Sequence, residues 1–153
     1  MKLRYLTAGA VLLVSTWLAH AADGLIAIKS PYSATETMNR LEAAVKQRGL
    51  IVFARIDHAA GAAKIGKTLR PTELLIFGNP AGGTPLIECA QSAGIDLPLK
   101  ALAWQDEQGK VWLTYNDPKF LAKRHDTSAA KCPIIDTLTA ALRGLAAATV
   151  AVP

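Results

Sequence analysis

Asp57 and His58 stand side by side directly after the apolar run Leu50-Ile51-Val52-Phe53-Ala54-Arg55-Ile56. A strand there delivers a carboxylate and an imidazole to a crevice at its own end. In that position His58 is suited to bind a metal or act as a general base, since imidazole exchanges a proton near neutral pH. The plainer reading has Asp57 capping the next helix. A second segment, Gly78-Asn79-Pro80-Ala81-Gly82-Gly83-Thr84, runs from a strand end into a helix start, where backbone donors can cradle an anion. Asn79, Gly83 and Thr84 are its candidate contacts. The segment has neither the lysine of a phosphate-binding loop nor a dinucleotide fingerprint, and tight turns explain its glycines equally well. Tyr115 and Asn116 close a hairpin, and their hydrogen-bonding tips are placed to line a pocket.

Nucleophilic hydrolysis would require Thr84 or Cys89 to meet His58 in space, with no elbow motif to support it. Cys89 lies among Leu86, Ile87 and Ala90 and reads as a buried thiol. A disulfide to Cys132 and a ligand or nucleophile role stand beside that reading. The set His58, Glu88, Cys89 and His125 has no metal-ligand spacing, so no metal and no cofactor is expected.

The elements that must position these groups follow from pattern. Residues 24–29 form a short strand. Ser33 with Glu36 is a capping box opening a helix that carries Met38, Leu41 and Val45 at helical spacing and closes at Gly49. Strands at 50–56 and 72–77 flank a short Ala-rich helix. Thr84-Pro85 begins the next helix, strands near 99–104 and 110–115 form a hairpin round Asp106-Glu107-Gln108-Gly109, and Asn116-Asp117-Pro118 starts a short helix. Cys132-Pro133 opens a final helix bearing Ile134, Ile135, Leu138, Leu142 and Leu145.

This order predicts an α+β fold: a single compact domain with a mixed β-sheet of about five strands and helices packed mainly on one face. Val52, Phe53, Leu75, Phe77, Leu102 and Trp112 are expected in or near the core. If the strands before Asp57 and Asn79 run parallel, both segments leave the same edge of the sheet and meet in one crevice.

Residues 1–22 carry Lys2 and Arg4, the apolar stretch 8–14 and the triplet Ala19-His20-Ala21, the three parts of a cleavable signal peptide. The apolar stretch is shorter than the roughly 20 residues of a membrane span. The expected chain is periplasmic or secreted and soluble, with no stable membrane anchor after cleavage. Its parts are a leader over 1–22, an α+β domain over 23–125, and a C-terminal helix with a frayed tail over 126–153. The formal charge of +5 falls to +3 without Lys2 and Arg4. The basic residues are scattered, apart from Lys123-Arg124-His125, which reads as a solvated helix end. That distribution argues against a nucleic-acid partner.

Taken together, Ile56-Asp57-His58, Phe77-Gly78-Asn79-Pro80 with Gly83-Thr84-Pro85, the Leu97-Pro98 step and Tyr115-Asn116-Asp117-Pro118 resemble the family called domain of unknown function 302 (DUF302), over about 25–124. The resemblance implies a compact α+β domain, often dimeric, alone or fused to other modules and frequently exported, with no established activity. Lys100 stands where family members often have Arg, and Lys has no bidentate fork for a carboxylate or phosphate.

No pair of residues has the spacing of a catalytic mechanism. The expectation is a non-catalytic module that binds a small ligand or a protein partner, as a homodimer, with an enzyme using His58 and Thr84 or Cys89 as the alternative.

Overall fold

The computed structural model describes residues 24–152. The expected leader lies outside them. Five strands, β1 (Leu25–Ser30), β2 (Ile51–Asp57), β3 (Thr72–Gly78), β4 (Leu99–Gln105) and β5 (Val111–Asn116), form one sheet in the order β1-β5-β4-β3-β2. The helices are α1 (Ala34–Gln47), α2 (His58–Ala63), α3 (Pro80–Cys89), α4 (Pro118–Arg124) and α5 (Ile134–Val150), with a 3₁₀ turn, η1, at Gln91–Ile95. The fold is α+β, as expected. Every pairing is antiparallel, so the sheet is not mixed. The helix α1 carries the chain from one sheet edge to the other, and three strands separate β1 from β2.

Local chemistry explains the elements. The Ser33 hydroxyl accepts from the Glu36 amide at 3.1 Å, and α1 buries Met38, Leu41 and Val45. Gly49 holds φ +70°, where only glycine avoids strain. In β3 strict alternation buries Glu73, Leu75 and Phe77 beneath α1 and α5. Leu75 and Phe77 join Ala101, Ala103, Leu113, Leu142 and Leu145 in the main core. A second cluster, Leu86, Ala93, Cys132, Ile135 and Leu138, ties α3 and η1 to α5.

Glu73 would be costly to bury alone. It accepts from Arg55 Nε at 2.8 Å and Nη2 at 2.6 Å, and from the Thr35 hydroxyl at 2.7 Å. Burial works against the Arg55 charge, but the bonds and charges of Glu73 and Glu42 outweigh it and raise the guanidinium pKa.

Three expectations are corrected. Phe53 is 53% exposed, because a bulge between Val52 and Ala54 breaks the alternation of β2. The next helix begins at Pro80, not Thr84: the Asn79 carboxamide accepts from the Gly82 amide at 2.8 Å, and Pro85 lies inside the helix. The end of α5 is not frayed. The helix reaches Val150 with Thr149 fully buried, and the Thr149 and Ala151 carbonyls accept from Arg40 while Ala151 also accepts from Tyr32.

Candidate functional site

Where β3 ends, the chain turns at Gly78-Asn79 into α3, and α3 lies across α5 without closing on it. A cleft of about 410 Å³ remains between them, within the range of small-molecule sites. Its floor is Phe77 and Leu99, and one wall is Leu138, Leu142 and Leu145 of α5. The opposite wall is Gly82, Gly83 and Thr84 of α3 with Leu97. The glycines set its width. A Cβ on Gly82 would come within 3.2 Å of Asn79 Oδ1 and 3.5 Å of a Leu138 methyl, whereas one on Gly83 would point at Leu97 from 3.6 Å.

Leu97 and Pro98, joined by a cis peptide, also line the cleft. Lys100 donates to the carbonyls of Asp96 and Pro98 at 2.9 Å each, so it serves the backbone of this bend. The residues lining the cleft include no ionisable side chain. The Gly82 and Gly83 amides are bonded within the turn, to the Asn79 side chain and carbonyl. The arrangement suits an uncharged apolar ligand and gives an anion little to hold.

Of the residues singled out from sequence, Asn79, Gly83 and Thr84 line this cleft. Asp57 and His58 do not. Because β2 and β3 are antiparallel, Asp57 pairs with Glu73 while Gly78 pairs with Ile51, which places the two segments at opposite ends of the strand pair, roughly 20 Å apart at strand rise. The expected shared crevice therefore does not form. Asp57 caps α2 by accepting from the Ala60 amide at 2.8 Å, and His58 is exposed. Tyr115 is buried in the main core, where burial pushes its phenol pKa up against the opposing charge of Arg143. Asn116 pairs with Leu25 at the sheet edge.

Cys89 and Cys132 are joined in a disulfide with their Cα atoms 5.9 Å apart. This corrects the buried-thiol reading and removes Cys89 as a nucleophile. His58, Glu88, Cys89 and His125 do not converge, and among the described residues no cluster of three or more His, Cys, Asp or Glu could hold a metal.

The walls contributed by α5 and by Leu97-Pro98 were missed from sequence, because an apolar helical stripe looks the same whether it meets a core or an open cleft. Also missed was a polar cluster on the far side of η1. His125 bonds Asp96 at 2.7 Å and Ser92 at 2.8 Å, and Arg124 reaches Asp96 at 3.1 Å. Two members of the presumed solvated run Lys123-Arg124-His125 are thus engaged.

Fold and site define a small α+β domain built round an apolar cleft. The family model described as "Domain of unknown function DUF302" matches residues 26–145, and the chain belongs to that family. It is 53% identical over 103 residues to proteins named "Fluoride-specific ion channel FluC 1", from Brucella suis biovar 1 (strain 1330), and "Fluoride-specific ion channel FluC 2", from Brucella melitensis biotype 1. The match takes in 67% of this chain but 41% and 38% of those proteins, so the chain spans about two-fifths of the curated relatives it matches. A crystal structure of an uncharacterized conserved DUF302 protein from Bacillus stearothermophilus superposes with a TM-score of 0.73 at 20% identity, covering 84% of this chain and 99% of that one. At that identity the likeness concerns the fold.

Proposed function

We propose that the chain is an exported binding module that takes a small, uncharged, apolar ligand in the cleft between α3 and α5. The observation that carries this is the cleft itself: about 410 Å³, lined mainly by aliphatic and phenylalanine side chains and glycine, with Asn79 and Thr84 as its polar side chains and no ionisable group. The disulfide supports an oxidising compartment, in keeping with the signal-like residues 1–22. The sheet face turned away from α1 and α5 carries Ile56, Leu74, Ile76, Leu102, Trp104 and Trp112 by register. The same face also carries Thr72, Lys29, Lys100 and Thr114, and its apolar patch supports pairing with a second copy.

The test is titration with the uncharged fluorophore N-phenyl-1-naphthylamine. Gly83→Leu, which fills the cleft from a helical position, lowers affinity at least tenfold with the fold retained. Unchanged binding by the folded variant refutes the reading.

A second reading rests on the relatives. Their name and their 53% identity favour a domain that works beside a fluoride channel. Fluoride flux through a purified channel of that kind in vesicles, measured with and without this domain, tests it, and equal flux with no cosedimentation removes it.

A further inference from the structure

We propose that Ser92, His125 and Asp96 form a serine-nucleophile site that hydrolyses small carboxylic esters. Ser92 Oγ lies 2.8 Å from His125 Nδ1, and His125 Nε2 lies 2.7 Å from Asp96 Oδ2. The imidazole and carboxylate are sheltered, with side chains 7% and 13% exposed, whereas Ser92 is exposed to solvent. A sheltered base and orienter behind an accessible nucleophile supply the proton-transfer groups that acyl transfer uses.

The partners dictate the proton positions. A carboxylate only accepts, so in the neutral imidazole Nε2 carries the hydrogen that Asp96 holds, and the lone pair of Nδ1 receives the Ser92 hydroxyl proton. The opposite tautomer would set a lone pair against the carboxylate. The two ring nitrogens are exchanged relative to the serine-protease triad, but either nitrogen performs the same acid–base step.

Three anchored segments hold the group. Ser92 precedes Ala93, which is buried in the second cluster beside Cys132. Asp96 ends η1, and Arg124 fixes its other oxygen at 3.1 Å. His125 ends α4, its amide bonded to the Leu121 and Ala122 carbonyls.

In the reaction Ser92 Oγ attacks the ester carbonyl carbon while Nδ1 takes its proton. The bond to the alcohol oxygen breaks, and Nδ1–H protonates that oxygen. A water then attacks the acyl-serine and passes a proton through Nδ1 to the departing Ser92. Ester and water give acid and alcohol with no change of oxidation state.

The purified chain is exposed to a biotinylated fluorophosphonate and, separately, to p-nitrophenyl acetate. Label is expected on Ser92 by peptide mass, and Ser92→Ala or His125→Ala is expected to abolish it and to lower hydrolysis about 100-fold, the lower range of general-base effects. Asp96→Asn slows labelling as a positioning defect, and Asp96→Glu restores part of it. Ser92→Ala leaves N-phenyl-1-naphthylamine binding unchanged, which separates this proposal from the cleft reading. No label on Ser92 in the folded wild type, or a Ser92→Ala rate equal to wild type, overturns the proposal.

Discussion

Removing the disulfide is the sharpest test of how the cleft is held. Cys89 ends α3 and Cys132 precedes α5, and 43 residues separate them. Chain-entropy reasoning for a loop of that length gives about 4 kcal/mol of stabilisation, at the upper end of the usual 2–4. Cys89→Ser with Cys132→Ala breaks the link without leaving a lone buried thiol, and Cys132 is fully buried, so a small cavity adds to the cost. Urea unfolding of the variant is expected to show a loss of about 4–5 kcal/mol and a larger m-value, since the uncrosslinked unfolded chain exposes more surface. Naphthylamine affinity falls as well, because the bond sits at the C-terminal end of the α3 wall. Wild type in reducing buffer reproduces the stability loss. A loss below about 1 kcal/mol refutes the reasoning, since the link would then constrain little that packing does not already fix.

Phe77→Ala removes a fully buried ring beneath α1 and α5 and lowers unfolding free energy by about 3–5 kcal/mol; Phe53→Ala, at a half-exposed site, costs clearly less in the same assay. Arg55→Leu strands the buried Glu73 carboxylate and costs about 3–5 kcal/mol, and adding Glu73→Gln recovers part of it. Hydrogen bonding by Lys46 chiefly, with help from Arg55 against the opposing effect of burial, lowers the Glu42 pKa below 4.5. Its contribution is therefore complete above that value and lost as pH falls through the lowered one, so Glu42→Gln flattens the acid limb of a stability profile. Leu102→Glu, central on the apolar sheet face, converts a dimer to monomer in sedimentation without unfolding the chain; an unchanged sedimentation coefficient removes that face as the contact.

Much of the fold was legible because its signals are local. The Ser33–Glu36 box, the alternation in β3 and the stripe on α5 each follow from neighbours within a turn or two. Strand direction is not local. A strand, a helix and a strand at the spacing of β2-α2-β3 suit a parallel crossover, whereas the register pairs β2 with β3 antiparallel. That one error carried the site with it, since the proposed meeting of His58 with Thr84 assumed parallel strands. Asn79-Pro80 and Thr84-Pro85 are equally good helix starts on paper, and the earlier one wins because the Asn79 carboxamide reaches the Gly82 amide. Ser92, Asp96 and His125 share no spacing motif, and folding alone brings His125, 29 residues beyond Asp96, to its side.

The place of β1 in the sheet also governs when the domain can assemble. Leu25 pairs with Asn116, so the first of the described strands to be synthesised finds its partner only about ninety residues later. At roughly 5–20 residues per second, β1 waits some 5 to 20 seconds with its edge unpaired. During the same interval α1 exposes the Met38, Leu41 and Val45 stripe, which is completed by α5 at the far end of the chain. Such non-local closure slows folding and gives a holding chaperone a long interval in which to bind.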